Sequence, residues 1–504
     1  MEYRTLTLYN VVMWFQKFFR PSRKEKPPTR GARSLYFHNT LGNEKQEFTL
    51  PARVHTVRMY NCGPTVYDRQ HIGNLSMFVF ADILRGTLEY NGFQVKQVIN
   101  ITDFGHLTSD ADEGEDKMSK GLKREGLKPT LENMKILGEK YTAVFLEDIR
   151  KLNIDTERIE FPRASEYVPA QIAMIQALEE KGYAYKISDG VYFDTSRYPA
   201  YGALGGIHLE GQKEGARVEA NTEKRNPIDF ALWKSNPKLG WDSPWGKGFP
   251  GWHIECSAMV RRTLGEQIDI HTGGIEHIPI HHNNEIAQSE AATGKKPFSR
   301  FWIHRAHIQI DGGKIAKSKG QTIYLSDIIE RGFHPYALRY LLLGAHYRTS
   351  MNFTWESLEA AQTALLRLRA LIDATSESGT MPAIYRSRFI DRMNDDLDTP
   401  GALAVLWEMV HDSSQSPEDI RAGLIEADTV FKVGLSSSDD SLKSLGVHAL
   451  ALASLPGNIQ ELVKEREQSR IKKDWAHADE LRERLRSEGY EIEDGKDGVR
   501  ISRV

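Results

Sequence analysis

Val57-Arg58-Met59-Tyr60-Asn61, then Cys62-Gly63-Pro64, then a run that closes on Asn91-Gly92: this stretch decides the fold. Val57 and Met59 alternate into Tyr60 and Asn61, the period-two pattern of a strand, and Cys62-Gly63-Pro64 stops it. Leu75, Phe78, Val79 and Ile83 then recur at helical spacing until Asn91-Gly92 ends the helix. Residues 93–101 are rich in β-branched side chains and read as a second strand. Strand, loop, helix and strand in so short a span make a βαβ unit, which predicts a parallel sheet covered by helices.

Working outward, residues 130–215 hold further helical stretches and a short strand at Val191-Tyr192-Phe193. A second motif-rich region spans roughly 226–325. Beyond about 330 the pattern turns helical, with Trp355, Leu358, Ala361, Leu365, Leu368 and Ile372 on one face. The serine-rich segment from Ser436 through Ser444 reads as a linker. One more amphipathic helix is expected near the end, with Ile471, Trp475, Ala478, Leu481 and Leu485 inward, and residues 491–504 read as a strand or hairpin.

The chain has 504 residues, 40% hydrophobic and 27% charged, a globular composition with length for about three domains. Its net charge of -3 excludes a globally basic nucleic-acid binder, so any such contact needs local basic faces. Two cysteines, Cys62 and Cys256, are too few for a disulfide framework and point to a reducing, cytoplasmic setting. No apolar run is long enough for a membrane helix. Residues 1–33, Arg- and Lys-rich from position 17, read as a disordered extension, with an organellar presequence as the alternative.

Three clusters carry chemistry. His71-Ile72-Gly73-Asn74 sits where a strand turns into a helix, and a helix N-terminus offers unpaired N–H groups to a triphosphate. Gly313-Lys314-Ile315-Ala316-Lys317-Ser318-Lys319-Gly320 places two lysines three apart, Lys314 and Lys317, in a glycine-flanked cationic loop able to neutralise charge on a leaving pyrophosphate. As an isolated octamer it reads rather as a solvated basic turn. A rival lysine match, Lys117-Met118-Ser119-Lys120, follows Asp110, Asp112, Glu113, Glu115 and Asp116 and is set aside, because that acidic run would repel phosphates. The strongest cluster is Trp252-His253-Ile254-Glu255-Cys256 with His281-His282-Asn283-Asn284-Glu285. His281 and Glu285 are i,i+4 and share a helix face. With Cys62 and Cys256 they offer two thiolates, an imidazole and a carboxylate, a donor set that suits Zn2+. Taken singly, each of these residues is more ordinary as a buried cysteine or a surface ion pair.

These blocks, with Asp229-Phe230-Ala231-Leu232-Trp233-Lys234, Asn394-Asp395-Asp396-Leu397-Asp398-Thr399-Pro400 and Lys473-Asp474-Trp475-Ala476-His477-Ala478-Asp479, resemble the cysteinyl-tRNA synthetases from about Ser34 to Val504, in that family's order. The resemblance implies a class I, α/β fold: a Rossmann-type parallel-sheet catalytic core split by an insertion, then an α-helical bundle and a small C-terminal α+β domain. It implies boundaries at 34–150 and 226–330 for the catalytic halves, 151–225 for the insertion, 331–437 for the bundle and 438–504 for the anticodon-binding region. It places zinc on Cys62, Cys256, His281 and Glu285. It places adenylate chemistry on His71, Asn74, Lys314 and Lys317, ATP (with Mg2+) at Gly73, Gly273, Gly274 and Lys317, and cysteine at Thr65 and Trp252. Partners would be tRNA(Cys), L-cysteine and ATP, with no membrane and a monomeric chain expected. Basic helices after Asn458 would hold tRNA phosphates.

The sequence departs from the family pattern at several points. Asn74 stands for a second histidine, Ile315-Ala316 for Met-Ser, Thr272 for a glycine, Asn283 for a glutamate and Phe249 for a frequent arginine. Residues 104–117 replace a short acidic stretch and read as a solvated loop. Two rivals follow: a ligase coupling activated cysteine to an amino sugar, against which residues 330–504 argue, and a catalytically silent paralogue, suggested by the altered lysine loop.

Overall fold

The computed structural model describes residues 33–105, 117–206, 222–310, 313–314, 322–436, 455–495 and 498–503. Residues 1–32, the acidic run at 106–116, Lys317 and the serine-rich linker from Ser437 onward lie outside them.

A short hairpin, β1 (Tyr36–Asn39) and β2 (Glu44–Glu47), leads into the expected βαβ unit: β3 (Thr56–Asn61), α1 (Ile72–Tyr90) and β4 (Gln94–Ile99). Buried Val57, Met59 and Tyr60 make β3 a central strand, as a nearly continuous apolar run in a parallel sheet requires. Helix α1 buries fourteen of its nineteen residues, so it is sandwiched between layers and not amphipathic. Asn91 caps it, and Gly92 follows at φ 82°, the left-handed conformation that glycine adopts cheaply.

Helices α2 (Lys117–Arg124) and α3 (Leu131–Lys151) precede β5 (Ile159–Glu160), and α4 (Val168–Glu180) precedes the strands β6 (Ala184–Ile187) and β7 (Gly190–Phe193). The chain then forms β8 (Phe230–Ser235), β9 (Gly248–Pro250), α5 (Trp252–Thr263), β10 (Ile268–Gly274), α6 (His281–Thr293) and β11 (Ser299–Arg305). The strands β6-β7-β8-β9 make an antiparallel sheet that joins residues on both sides of position 225.

The main sheet has the order β11-β10-β3-β4-β5 and is wholly parallel. From β3 the chain steps to β4 on one side and later returns to β10 on the other. The order therefore reverses between β3 and β10, and in such sheets ligands bind beyond the carboxyl ends of the strands at that point.

After β12 (Ile308–Ile310) and β13 (Gly313–Lys314) come α7 (Leu325–Glu330), α8 (Pro335–Leu343), β14 (Met351–Phe353) and four helices, α9 (Trp355–Asp373), α10 (Ala383–Asn394), α11 (Thr399–His411) and α12 (Pro417–Phe431). Leu358, Ala361, Leu365, Leu368 and Ile372 of α9 are buried on the face the spacing predicts. Sheet and helices are bolted together by a buried ion network. Asp82 of α1 accepts from Arg339 of α8 at 2.5 Å and from Lys432, just past α12, at 2.7 Å. Burial would raise the Asp82 carboxyl, but the two cations outweigh it and hold it below the usual range.

The last unit holds α13 (Gly457–Ile471), α14 (Trp475–Ser487) and the antiparallel hairpin β15 (Tyr490–Gly495) and β16 (Gly498–Arg503). The expected hairpin is present, but the single amphipathic helix is corrected to two. Ile471 and Trp475, expected inward, are 81% and 57% exposed, whereas Ala478, Leu481 and Leu485 are buried. The chain breaks at Lys473, whose φ is 62°, and the break resets the helical face. Among the described residues, no helix is long and apolar enough to cross a membrane.

Candidate active site and donor cluster

Cys62 immediately follows β3, and its backbone N–H donates to Thr272 of β10 at 3.1 Å. The chain turns at Gly63, where a Cβ would lie 1.6 Å from the Asn100 carbonyl, so only glycine fits. This turn opens a cavity of about 610 Å³ at the carboxyl ends of β3 and β10. Thr65, His71, Asn74, Trp252, Cys62, Cys256, Gly273, Gly274 and His281 all line it, although they come from four separate stretches of sequence. Gly73 lies in the first turn of α1 and is not part of the wall. Lys314 pairs with Gln309 in a two-stranded ladder, and Lys317 is outside the described residues.

His71 caps α1, its Nδ1 accepting from the Asn74 backbone N–H at 3.2 Å. Asn74 is aimed by Gln70, to whose side-chain oxygen its amide donates at 2.7 Å. Asparagine at this position therefore keeps a donor at the helix N-terminus, where anions are favoured.

Behind the His281 wall of the cavity lies a packed set of buried imidazoles and one carboxylate. His281 and Glu285 open α6 one turn apart, and both are buried. His281 Nε2 lies 3.0 Å from Glu285 Oε1, and His271 Nε2 lies 3.0 Å from Glu285 Oε2. Burial would raise Glu285, but the charges of His271 and His281 overcome it and bring it down to about 2. Burial would likewise lower His281, yet Glu285 and Cys256 raise it to about 10. Cys62 and Cys256 are free thiols that hydrogen-bond to each other. Burial pushes Cys62 up, whereas the Cys62 hydrogen bond draws Cys256 down toward thiolate.

Three of the four expected ligands, Cys62, His281 and Glu285, have donor atoms within 4.8 Å of one another, and the residue that completes this tightest group is His282, not Cys256. Cys256 joins by hydrogen bonds to Cys62 and His281. Together Cys62, Cys256, His281 and Glu285 close a ring: thiol to thiol, thiol to imidazole, imidazole to carboxylate at 3.0 Å, carboxylate to thiol at 3.8 Å. Protons occupying such a ring of soft and nitrogen donors sit where a divalent cation would, so the residues fit Zn2+.

Other members of the site were given no role from sequence. His282 Nε2 reaches Cys62 Sγ at 3.3 Å, and its Nδ1 meets His304 Nε2 at 2.7 Å. His304 Nδ1 in turn meets Thr40 Oγ1 at 2.7 Å, a relay that fixes ring orientation from outside. Burial drives His282 well below the usual histidine range and brings His304 down to about 3, disfavouring the charged form of both rings. His253 Nδ1 lies 2.8 Å from His281 Nδ1 and fixes the orientation of that ring from behind. Glu276, His277 and Lys117 also line the cavity. In sequence Lys117 was weighed only within the rival lysine match and set aside, His253 and His282 stood only as neighbours of the expected ligands, and Glu276, His277 and His304 carried no signal of their own.

Residues 48–363 match the model of the tRNA synthetases class I (C) catalytic domain, 388–414 a DALR domain, and 452–501 the cysteinyl-tRNA ligase anticodon binding domain. Cysteine–tRNA ligase 1 of Burkholderia lata is 45% identical over 93% of this chain and 96% of its own length. The cysteine–tRNA ligase of Treponema denticola is 41% identical over 92% and 98%. The chain belongs to the cysteinyl-tRNA synthetase family.

A solved methionyl-tRNA synthetase of Mycobacterium tuberculosis, in complex with methionyl-adenylate, superposes with a TM-score of 0.53 at 13% identity, covering 79% of this chain and 94% of that one. At that identity the likeness speaks to the fold, a class I α/β architecture with helices following. A member of this family is an enzyme, a ligase that charges tRNA.

Proposed function

We propose that this chain activates L-cysteine with ATP and esterifies it to tRNA(Cys), with a zinc ion held by Cys62, Cys256, His281 and Glu285. The observation that carries this reading is the closed ring of four donors, three of which line the cavity with Glu285 buried behind them, beside the turn that presents His71 and Asn74. Zinc there supplies a soft Lewis acid that prefers thiolate sulfur to a hydroxyl, a distinction between cysteine and serine that pocket shape resolves weakly.

The remaining chemistry belongs to the residues. Trp252 stands 4.6 Å, ring to ring, from His281 and walls the amino-acid end. In the first step a cysteine carboxylate oxygen bonds to the α-phosphorus, the bond from that phosphorus to the bridging oxygen breaks, and pyrophosphate departs with the electron pair. His71, Asn74, Lys314 and Lys317 serve as the charge-stabilising groups, with Mg2+ on the phosphates. In the second step a ribose hydroxyl at the tRNA 3′ end bonds to the carbonyl carbon, AMP leaves, and the hydroxyl proton passes to solvent. Neither step needs a protein nucleophile; positioning and electrostatics supply the acceleration.

At the far end Trp475 and Ile471 stand in solvent within the part that matches the anticodon binding domain. Exposed aromatics suit stacking on splayed single-stranded bases. A reducing compartment such as the cytoplasm would keep both thiols available, and a monomer suffices because the cavity is built from one chain.

The test is ATP–pyrophosphate exchange by the purified chain, run with cysteine and with serine, alongside metal analysis. One zinc per chain and exchange supported by cysteine alone are expected. Equal exchange with serine, or a metal-free chain that still discriminates, would overturn the reading.

A further inference from the structure

Lys117 is the only lysine or arginine among the described residues that line the cavity. Its Nζ stands 5.1 Å from the centroid of the Trp252 ring, which also lies 4.6 Å, ring to ring, from His281. The same indole therefore adjoins both this ammonium and a member of the donor ring. Among the described residues no carboxylate is paired with it.

The position is built, not incidental. Lys117 opens α2, and the next residues lock that helix in place. Met118 and Leu122 are buried against Met134 and Leu137 of α3, with Tyr67 and Phe249 packed alongside. Gly121 lets α2 approach the loop after β3, since a Cβ there would come within 2.8 Å of the Tyr67 carbonyl. Arg124, one turn on, donates to that same carbonyl at 2.8 Å and pairs with Asp68 at 3.0 Å. The helix is thus clamped to the segment carrying Thr65, His71 and Asn74, and its first side chain overhangs the cavity.

We propose that Lys117 binds the α-carboxylate of the incoming amino acid, the group that becomes the acyl phosphate. The inference rests on the amino-acid-activating reading above and extends it to the residue that orients the nucleophile. An amino acid gripped by its sulfur at the donor ring carries its carboxylate only three bonds away, along the face of Trp252, toward the ammonium. A carboxylate and a triphosphate repel each other, and a fixed cation beside the carboxylate lowers that repulsion while selecting which oxygen faces phosphorus. Trp252 holds the ammonium by its π face, so the cation is desolvated on one side and favourably placed for an anion.

The experiment uses the full chain and reads cysteine-dependent pyrophosphate exchange for wild type, Lys117→Met, Lys117→Arg and, as control, Lys120→Met, whose exposed side chain lies one turn along α2. Lys117→Met is expected to raise the KM for cysteine about tenfold or more, the effect of losing one charge-assisted hydrogen bond, with the KM for ATP within about twofold. Lys117→Arg is expected to recover most of the loss, and Lys120→Met to match wild type. Cysteinol, which keeps thiol and ammonium but has a hydroxyl for the carboxylate, should inhibit wild type and Lys117→Met equally. An unchanged cysteine KM would overturn the inference, as would a rise confined to the ATP KM, a parallel weakening of cysteinol, or an equal loss in Lys120→Met. A wild-type chain without cysteine-dependent exchange would instead sink the activating reading, and this inference with it.

Discussion

The buried cluster behind the cavity and the C-terminal helical unit treat polar chemistry in opposite ways. Around α6 the chain buries His271, His281, His282 and Glu285 almost completely and leaves each with partners. Around α13 and α14 it buries only a thin apolar seam and turns Ile471 and Trp475 outward. The difference is physical. A small ligand is discriminated by a few atoms, and those atoms act strongly only where water is excluded. A nucleic acid offers extended surface and base faces, which a solvated aromatic can reach.

The largest effect should come from the buried side of this contrast. Glu285→Gln removes the one anion that faces both His271 and His281, and is expected to lower zinc content below about one-tenth and cysteine-dependent exchange by at least about a hundredfold. The ring assignment can also be broken directly. Cys256→Ser should lose metal, whereas His282→Asn should keep it and cost about tenfold or less in exchange. The reverse result, measured as zinc per chain, would replace Cys256 by His282, the residue that completes the tightest donor group.

The exposed side should respond differently. Trp475→Ala is expected to leave pyrophosphate exchange and thermal stability unchanged, since the ring is mostly in water. It should lower kcat/KM for aminoacylation about tenfold or more, as loss of one stacked base would. Should exchange fall in step with aminoacylation, the two regions are not separable in the way their burial implies.

What sequence disclosed follows the same division. The β3–α1–β4 unit was legible because periods of two and 3.6 survive in a strand and helix that pack on a core. His281 and Glu285 were legible because i,i+4 spacing needs only a helix. The outward turn of Ile471 and Trp475 was not, because a periodic pattern carried across the left-handed Lys473 keeps counting after the helix has stopped. Lys117 was set aside for the acids preceding it in sequence, yet the packing of Met118 and Leu122 delivers it to the cavity. His282 and His304 gain their roles from a relay linking α6, β11 and Thr40, which no local spacing encodes.

The smallest effect separates a buried acid that has cationic partners from one that lacks them. Glu285 is held ionised by two imidazoles, but Asp148 of α3 is buried with its Oδ2 unpaired. Burial raises the Asp148 carboxyl to about 6, and Arg69 and Lys151 only partly oppose this. A folded-state pKa above the unfolded value means the folded chain holds that proton more tightly. The penalty is therefore nearly absent below about pH 4, grows between about 4 and 6, and is fully expressed above 6. Asp148→Asn, which keeps the shape and removes the charge, is expected to stabilise the chain by about 1 kcal/mol at pH 7.5, a value reduced for residual solvent screening. The gain should shrink to about half at pH 5 and vanish below pH 4. Thermal midpoints of the two proteins at these pH values check the sign: a gain that grows on acidification would mean the carboxylate is paired after all.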